Sequence, residues 1–171
     1  MKKILGSAAA AALIIGFMPH VAAQTASQNA TGDVGVEILE PLTIGQTQAL
    51  GFGQVAAGAA DGSVGCSTAG AVSSSNVTQV GGCTQGIFAV TGEADASISI
   101  QIPTGNVTLT SAAGDTLIVN GFTSDPGGAG GGTGSIPGGS TNINIGATLQ
   151  VPAGSPPGAY AGTYTVTIDY N

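Results

Sequence analysis

The chain closes on a stretch in which aromatic and β-branched residues take every second position: Tyr164, Val166, Ile168 and Tyr170 face one way, Thr163, Thr165, Thr167 and Asp169 the other. A period of two is the signature of a strand with one buried face, because successive side chains of an extended backbone point to opposite sides. The same alternation returns at Ile143, Ile145, Ala147, Leu149 and Val151, where Pro152 stops it, and at Ile98, Ile100 and Ile102, where Pro103 does. Shorter apolar runs at Ile87–Val90, Val107–Leu109 and Leu117–Phe122 read as further strands, as do Val64–Cys66 and Val77–Val80. Beyond residue 23 no stretch carries a helical period of useful length. Many short strands separated by turn residues define an all-β sandwich or barrel.

Near the start, Val34, Val36 and Ile38 alternate with Asp33, Gly35 and Glu37, which reads as a half-buried strand. Pro41 has no amide proton to give to a ladder, so that strand must bend there or lie at an edge. The glycine-rich run Gly127–Gly139 reads as a flexible surface loop.

The N-terminus has the three-part layout of a secretory signal: Lys2 and Lys3, an apolar run from Ile4 to Met18, then Pro19 and the small residues Val21-Ala22-Ala23. Cleavage between Ala23 and Gln24 would leave 148 of the 171 residues. The apolar run is shorter than the roughly 20 residues needed to span a bilayer, so no membrane span is expected after signal removal. The expected organisation is a cleaved signal over residues 1–23, a polar lead over 24–32, and one domain over 33–171. The expected location is the periplasm, the cell surface or the medium.

Export changes the chemistry available. Lys2 and Lys3 are the only basic residues and His20 is the only histidine, so the mature chain has none of either, and its nine carboxylates are unopposed. Nucleic acid is thereby excluded as a partner, since phosphate neutralisation needs Lys or Arg. Serine nucleophiles lack their usual histidine base, and the nucleophile-elbow pattern does not occur. Cys66 and Cys83, the only cysteines, enter an oxidising compartment and are expected to bridge each other, leaving no thiolate for zinc. The glycine run has no lysine to complete a phosphate loop.

A carboxylate pair is the one catalytic device the composition permits. Glu93 and Asp95 would share a strand face, but with no tryptophan to stack a sugar the expectation is no enzyme, no metal and no cofactor. Asp61, Asp115 and Asp125 offer hard oxygen ligands for calcium, without the spacing of a calcium-binding repeat. Asn29, Asn76 and Asn106 each begin an N-x-Thr sequon, a motif that arises by chance in a Thr-rich chain.

The last strand carries a resemblance. Tyr170 is next to last and Gly158 fourteenth from the end, as in the closing strand of chaperone-usher pilins and spore-coat-protein-U-like domains. Ile38-Leu39-Glu40-Pro41-Leu42-Thr43-Ile44, Leu50-Gly51-Phe52-Gly53, Phe88-Ala89-Val90-Thr91-Gly92 and Ile145-Gly146-Ala147-Thr148-Leu149 add to it, in that order. Together they resemble a related bacterial group, the domain-of-unknown-function family forty-four oh-two. The resemblance implies an immunoglobulin-like, pilin-like β-sandwich of short antiparallel strands in a fimbria or at the cell surface, without enzymatic activity.

It further implies a subunit that lacks one strand, served by a periplasmic chaperone and an usher and self-assembling by strand complementation. Gly158, Tyr164, Val166, Ile168 and Tyr170 would form the acceptor side, with Val34, Val36 and Ile38 as candidate donor residues. Two alternatives stay open at this point. Val34–Ile38 also reads as the domain's own first strand, and the closing strand as an ordinary core strand of a self-complete, monomeric binding module. The loop Gly127–Gly139 of such a module would meet a carbohydrate or matrix ligand.

Overall fold

The computed structural model describes residues 28–171, and apart from one three-residue 3-10 turn at Pro137–Gly139 its regular elements are all strands. The expected signal, its cleavage point at Ala23 and Gln24, and the first residues of the polar lead lie outside the described residues. Glu37–Asn171 forms the body of the fold.

Strand β12 (Ser140–Val151) organises the larger sheet, because each of its edges must find backbone partners along 12 residues. One edge is taken by β9 (Thr116–Asp125). The other is divided: Ser140–Ile145 pairs with β6 (Gly86–Thr91), and Ala147–Val151 pairs with β3 (Gly62–Cys66). Outward from these lie β1 (Thr43–Gln48) on β6, β4 (Val72–Ser75) on β3, and β8 (Val107–Ser111) then β13 (Tyr160–Ala161) on the β9 side. All of these pairs are antiparallel.

Gly146 marks the seam where β12 passes from β6 to β3. A Cβ there would press on the carbonyl of Cys66 and the backbone of Ser67, so only glycine lets the two half-edges meet. The Cys66–Cys83 disulfide, with Cα atoms 5.9 Å apart, bridges the same seam by tying the end of β3 to the segment that leads into β6. On the opposite edge β9 carries one extra residue at Gly121–Phe122 against Ala147, and Gly121 sits at φ +60°. This bulge shifts the phase of β9, so that Leu117 and Val119 before it and Phe122 after it all reach the interior.

A second sheet, β11 (Gly131–Ser135), β7 (Ser97–Gln101) and β14 (Thr167–Tyr170), covers part of the first. Ile98 and Ile100 of β7, with Ile136, join the cluster that contains Val64, Val90, Ile143 and Ile145 of the larger sheet, all of them essentially inaccessible. A two-stranded ladder of β2 (Gln54–Ala57) and β5 (Val77–Val80) completes the set. The result is an all-β antiparallel sandwich, as the alternating pattern requires.

Three expectations are corrected. Val34, Val36 and Ile38 belong to no strand and are exposed to 98%, 88% and 88%; alternation says which face a strand would bury, but a strand needs a partner edge, and none among the described residues takes this segment. The run Gly127–Gly139 is not a structureless loop: Gly128–Ala129 forms β10 against β9, and Gly131–Ser135 pairs with β7 along its whole length. Ladder bonds come from backbone, and glycine is needed here because Gly131 lies against the Ile100 carbonyl at φ +104°. Finally, of the regular closing stretch only Thr167–Tyr170 is paired as a strand.

Replacing both Cys66 and Cys83 by serine removes the closure of the intervening loop and should lower unfolding stability by about 3 kcal/mol in urea denaturation, with the native strand content unchanged.

Candidate functional site

The small residues and prolines between Gly154 and Gly162 leave this connection irregular except at β13, which pairs with Ser111 and Thr110 of β8 at the border of the larger sheet. Beneath it lies an apolar groove of about 840 Å³. Its floor is built by three strands in register: Val107 stands opposite Val119, Leu109 opposite Leu117, and Leu149 opposite Val119. Leu50, Phe52 and Val55 form one wall, and Tyr160 with Tyr164 the other. No charged side chain lines it, and the Tyr160 hydroxyl is already spent on the carbonyl of Pro156 at 2.8 Å. Such a surface favours apolar side chains and offers no countercharge to an ion.

Tyr164 links the groove to the core. Its ring meets Phe88 edge-on at 6.0 Å and Phe122 at 5.3 Å between centroids. Its hydroxyl is packed against Gly86, where any Cβ would collide with it. Among the described residues this hydroxyl is the buried side-chain polar atom without a hydrogen-bond partner, and burial pushes its pKa up from 10.0 to about 12.

From Tyr164 onward the chain runs along a sheet edge. β14 pairs with Ser99, Ile100 and their neighbours on β7, and no strand among the described residues takes its other side. Tyr164, Val166, Ile168 and Tyr170 pack on the core while Thr163, Thr165, Thr167 and Asp169 are exposed, so the two faces are those the sequence assigns. Gly158 lies on the groove rim, with its Cβ position opening towards Ser111. Of the five expected residues, Gly158 and Tyr164 line the groove, whereas Val166, Ile168 and Tyr170 follow along the chain and pack on the core.

At the far end of β14 the Tyr170 hydroxyl accepts a hydrogen bond from the Glu93 amide at 2.7 Å and donates one to the Glu40 carbonyl at 2.8 Å. The Glu40 amide in turn donates to the Glu93 carboxylate at 3.1 Å. This three-residue clasp fixes Glu40 beside the end of β14. Upstream of it stand Ile38, Val36 and Val34, the most exposed large apolar residues described.

The carboxylates considered for chemistry are used otherwise. Glu93 and Asp95 do not share a strand face; they sit in the β6–β7 corner, with Asp95 at φ +63° and its carboxylate accepting from the Gly138 amide. Asp61 accepts from the Ala153 amide at 2.8 Å, and Asp115 closes the β8–β9 hairpin with Ser111. Among the described residues no three acids, cysteines or histidines converge as a metal site would require. The sequence missed the groove itself, since Leu109 and Leu149 read as ordinary strand residues until strand order brings them around one opening.

Fold and site together define an antiparallel β-sandwich with an unpaired terminal edge beside an uncharged apolar groove. The family model described as Domain of unknown function (DUF4402) matches residues 42–170, and the chain belongs to that family. No curated protein and no solved structure matches it.

Two measurements bear on this geometry. In an alkaline titration followed by phenolate absorbance, one of the three tyrosines should ionise late, near pH 12. A pKa raised on folding means that stability is undiminished below pH 10 and falls as the pH rises towards 12; Tyr164→Phe should abolish both the late step and its share of the alkaline loss. Ile168→Asp would put a carboxylate on the core face of β14 and should cost several kcal/mol, read as loss of soluble, cooperatively unfolding protein.

Proposed function

We propose that this protein is an exported, non-enzymatic β-sandwich subunit of a fimbrial or other surface fibre, completed by a strand supplied from outside its own fold. The observation that carries this reading is the coincidence of two incomplete features at one place. The unpaired edge of β14 offers backbone donors and acceptors, and the adjoining groove offers an uncharged apolar cavity. Strand addition needs both, because ladder hydrogen bonds hold the incoming backbone and alternate side chains fill the groove. The employment of Glu93, Asp95 and Asp61 as acceptors for loop amides supports a structural rather than a hydrolytic role. In the cell, a chaperone and an usher would guard the open edge until assembly, since exposed edges invite unwanted pairing.

A second reading, a monomeric secreted binding module, is favoured by the size of the groove, which lies within the range of small-molecule cavities. Its ligand would be apolar and would enter the groove, not the Gly127–Gly139 region, which is engaged in pairing with β7 and β9.

Synthetic peptides of alternating apolar and polar residues distinguish the two. At saturation a strand peptide should raise the melting temperature by about 5–10 °C, and Leu109→Glu, which charges the groove floor, should abolish the rise while leaving circular dichroism unchanged. No rise with any strand peptide, and a rise with small apolar compounds, would replace the subunit reading by the binding module.

A further inference from the structure

We propose that Gln79 is the positioning residue of the groove: its side-chain amide fixes the Phe52 corner of the groove wall and ties it, through Gly82 and the Cys66–Cys83 disulfide, to β3 of the larger sheet. The proposal rests on the groove being the binding site, whether for a strand or for a small apolar ligand, and names the residue that sets its shape.

The wall needs such a tie. Apart from Gln54, every residue from Leu50 to Ala57 lines the groove, yet β2 pairs only with β5, and the two form a sheet of their own. Ahead of β2 the backbone is held where Gly51 and Thr84 exchange two hydrogen bonds of 2.9 Å. Phe52 and Gly53 lie between that bridge and the ladder and belong to neither. The Phe52 carbonyl accepts instead from Nε2 of Gln79 at 3.2 Å.

Alternation marks Gln79 as out of place. Val55 stands opposite it across the ladder and Val77, two positions earlier, shares its face, and both valines pack against the core. A polar side chain on such a face must find partners. Those of Gln79 are three carbonyls, of Phe52, Gly82 and Val80, shared between the two N–H donors of one amide. Glycines permit the approach: Gly81 and Gly82, at φ +87° and +71°, turn the chain back to the amide, and a Cβ on Gly53 would press on it. The next residue is Cys83, bonded to Cys66 at the end of β3, where Cys66 stands opposite Ala147 of β12. A continuous path therefore runs from the central strand of the larger sheet to the groove wall. Removing the amide would leave the three carbonyls short of donors and release Phe52, which lines the groove.

The parent and its Gln79→Met, Gln79→Glu, Ile136→Val and Cys66→Ser/Cys83→Ser variants would be titrated with a peptide of alternating apolar and polar residues and with the neutral apolar dye Nile red, and their melting temperatures recorded. Met keeps the length of Gln without its donors, so Gln79→Met should bind whichever probe the parent binds roughly tenfold more weakly. Gln79→Glu should bind as weakly at pH 7, where a carboxylate would face carbonyls, and regain affinity relative to the parent towards about pH 4, where a protonated carboxyl donates again. Ile136 is fully buried and does not line the groove, so Ile136→Val should lower the melting temperature and leave affinity unchanged. The serine pair should weaken binding, and adding Gln79→Met to it should weaken binding little further, since both changes cut one path. Parent-level binding by Gln79→Met, or an equal loss of affinity in Ile136→Val, would overturn the positioning role. A pH profile of Gln79→Glu that tracks the parent's would overturn the donor role of the amide, and full additivity with the serine pair would overturn the tie through the disulfide. A parent that binds neither probe would instead remove the groove reading on which the proposal stands.

Discussion

Backbone hydrogen bonding along β12 is the constraint on which the rest of the structure depends. β12 is paired with β9 over Asn144–Gln150 on one edge, and no single neighbour covers both halves of the other edge. The solution is to assign one half to β6 and the other to β3. From that division follow the glycine at 146, which lets the Cys66 backbone pass, and the disulfide that holds the two half-partners together. The bulge at Gly121 keeps Leu117 and Val119 before it and Phe122 after it inward while β9 pairs with Asn144–Gln150 of β12.

The smaller sheet has only three strands, and it does not extend over the inner face formed by β8, β9 and the end of β12. Apolar residues line that part because the alternation of each strand continues past the region covered by β7 and β14. The groove is thus what remains when a regular apolar face is longer than its cover. Its lining ends at Tyr164, from which the chain leads into β14, whose outer edge no strand among the described residues takes.

Tyr170 ties β14 to the segment that enters β1. Its ring serves the core on the buried face of β14, while its hydroxyl holds Glu40 and Glu93. One side chain therefore joins β14 to the root of the exposed segment Val34–Ile38. A penultimate aromatic could be read in the sequence as a core residue and as a family mark, but not as a clasp, since its partners are 77 and 130 residues away.

The sequence by itself determined the all-β class, the faces of β7, β12 and the closing strand, the pairing of Cys66 with Cys83, and the absence of basic side chains after residue 23. These are local or compositional properties: a period of two depends only on neighbouring residues, and two cysteines in one chain have one pairing to make. The tertiary structure alone decided that Val34–Ile38 stays unpaired, that a glycine-rich run supplies an inner-sheet partner for β7, and that Leu50, Val55, Leu109 and Leu149 surround a groove. Each of these depends on which edges come together. Backbone groups, which every residue carries alike, make those edges, so side-chain pattern alone does not encode them.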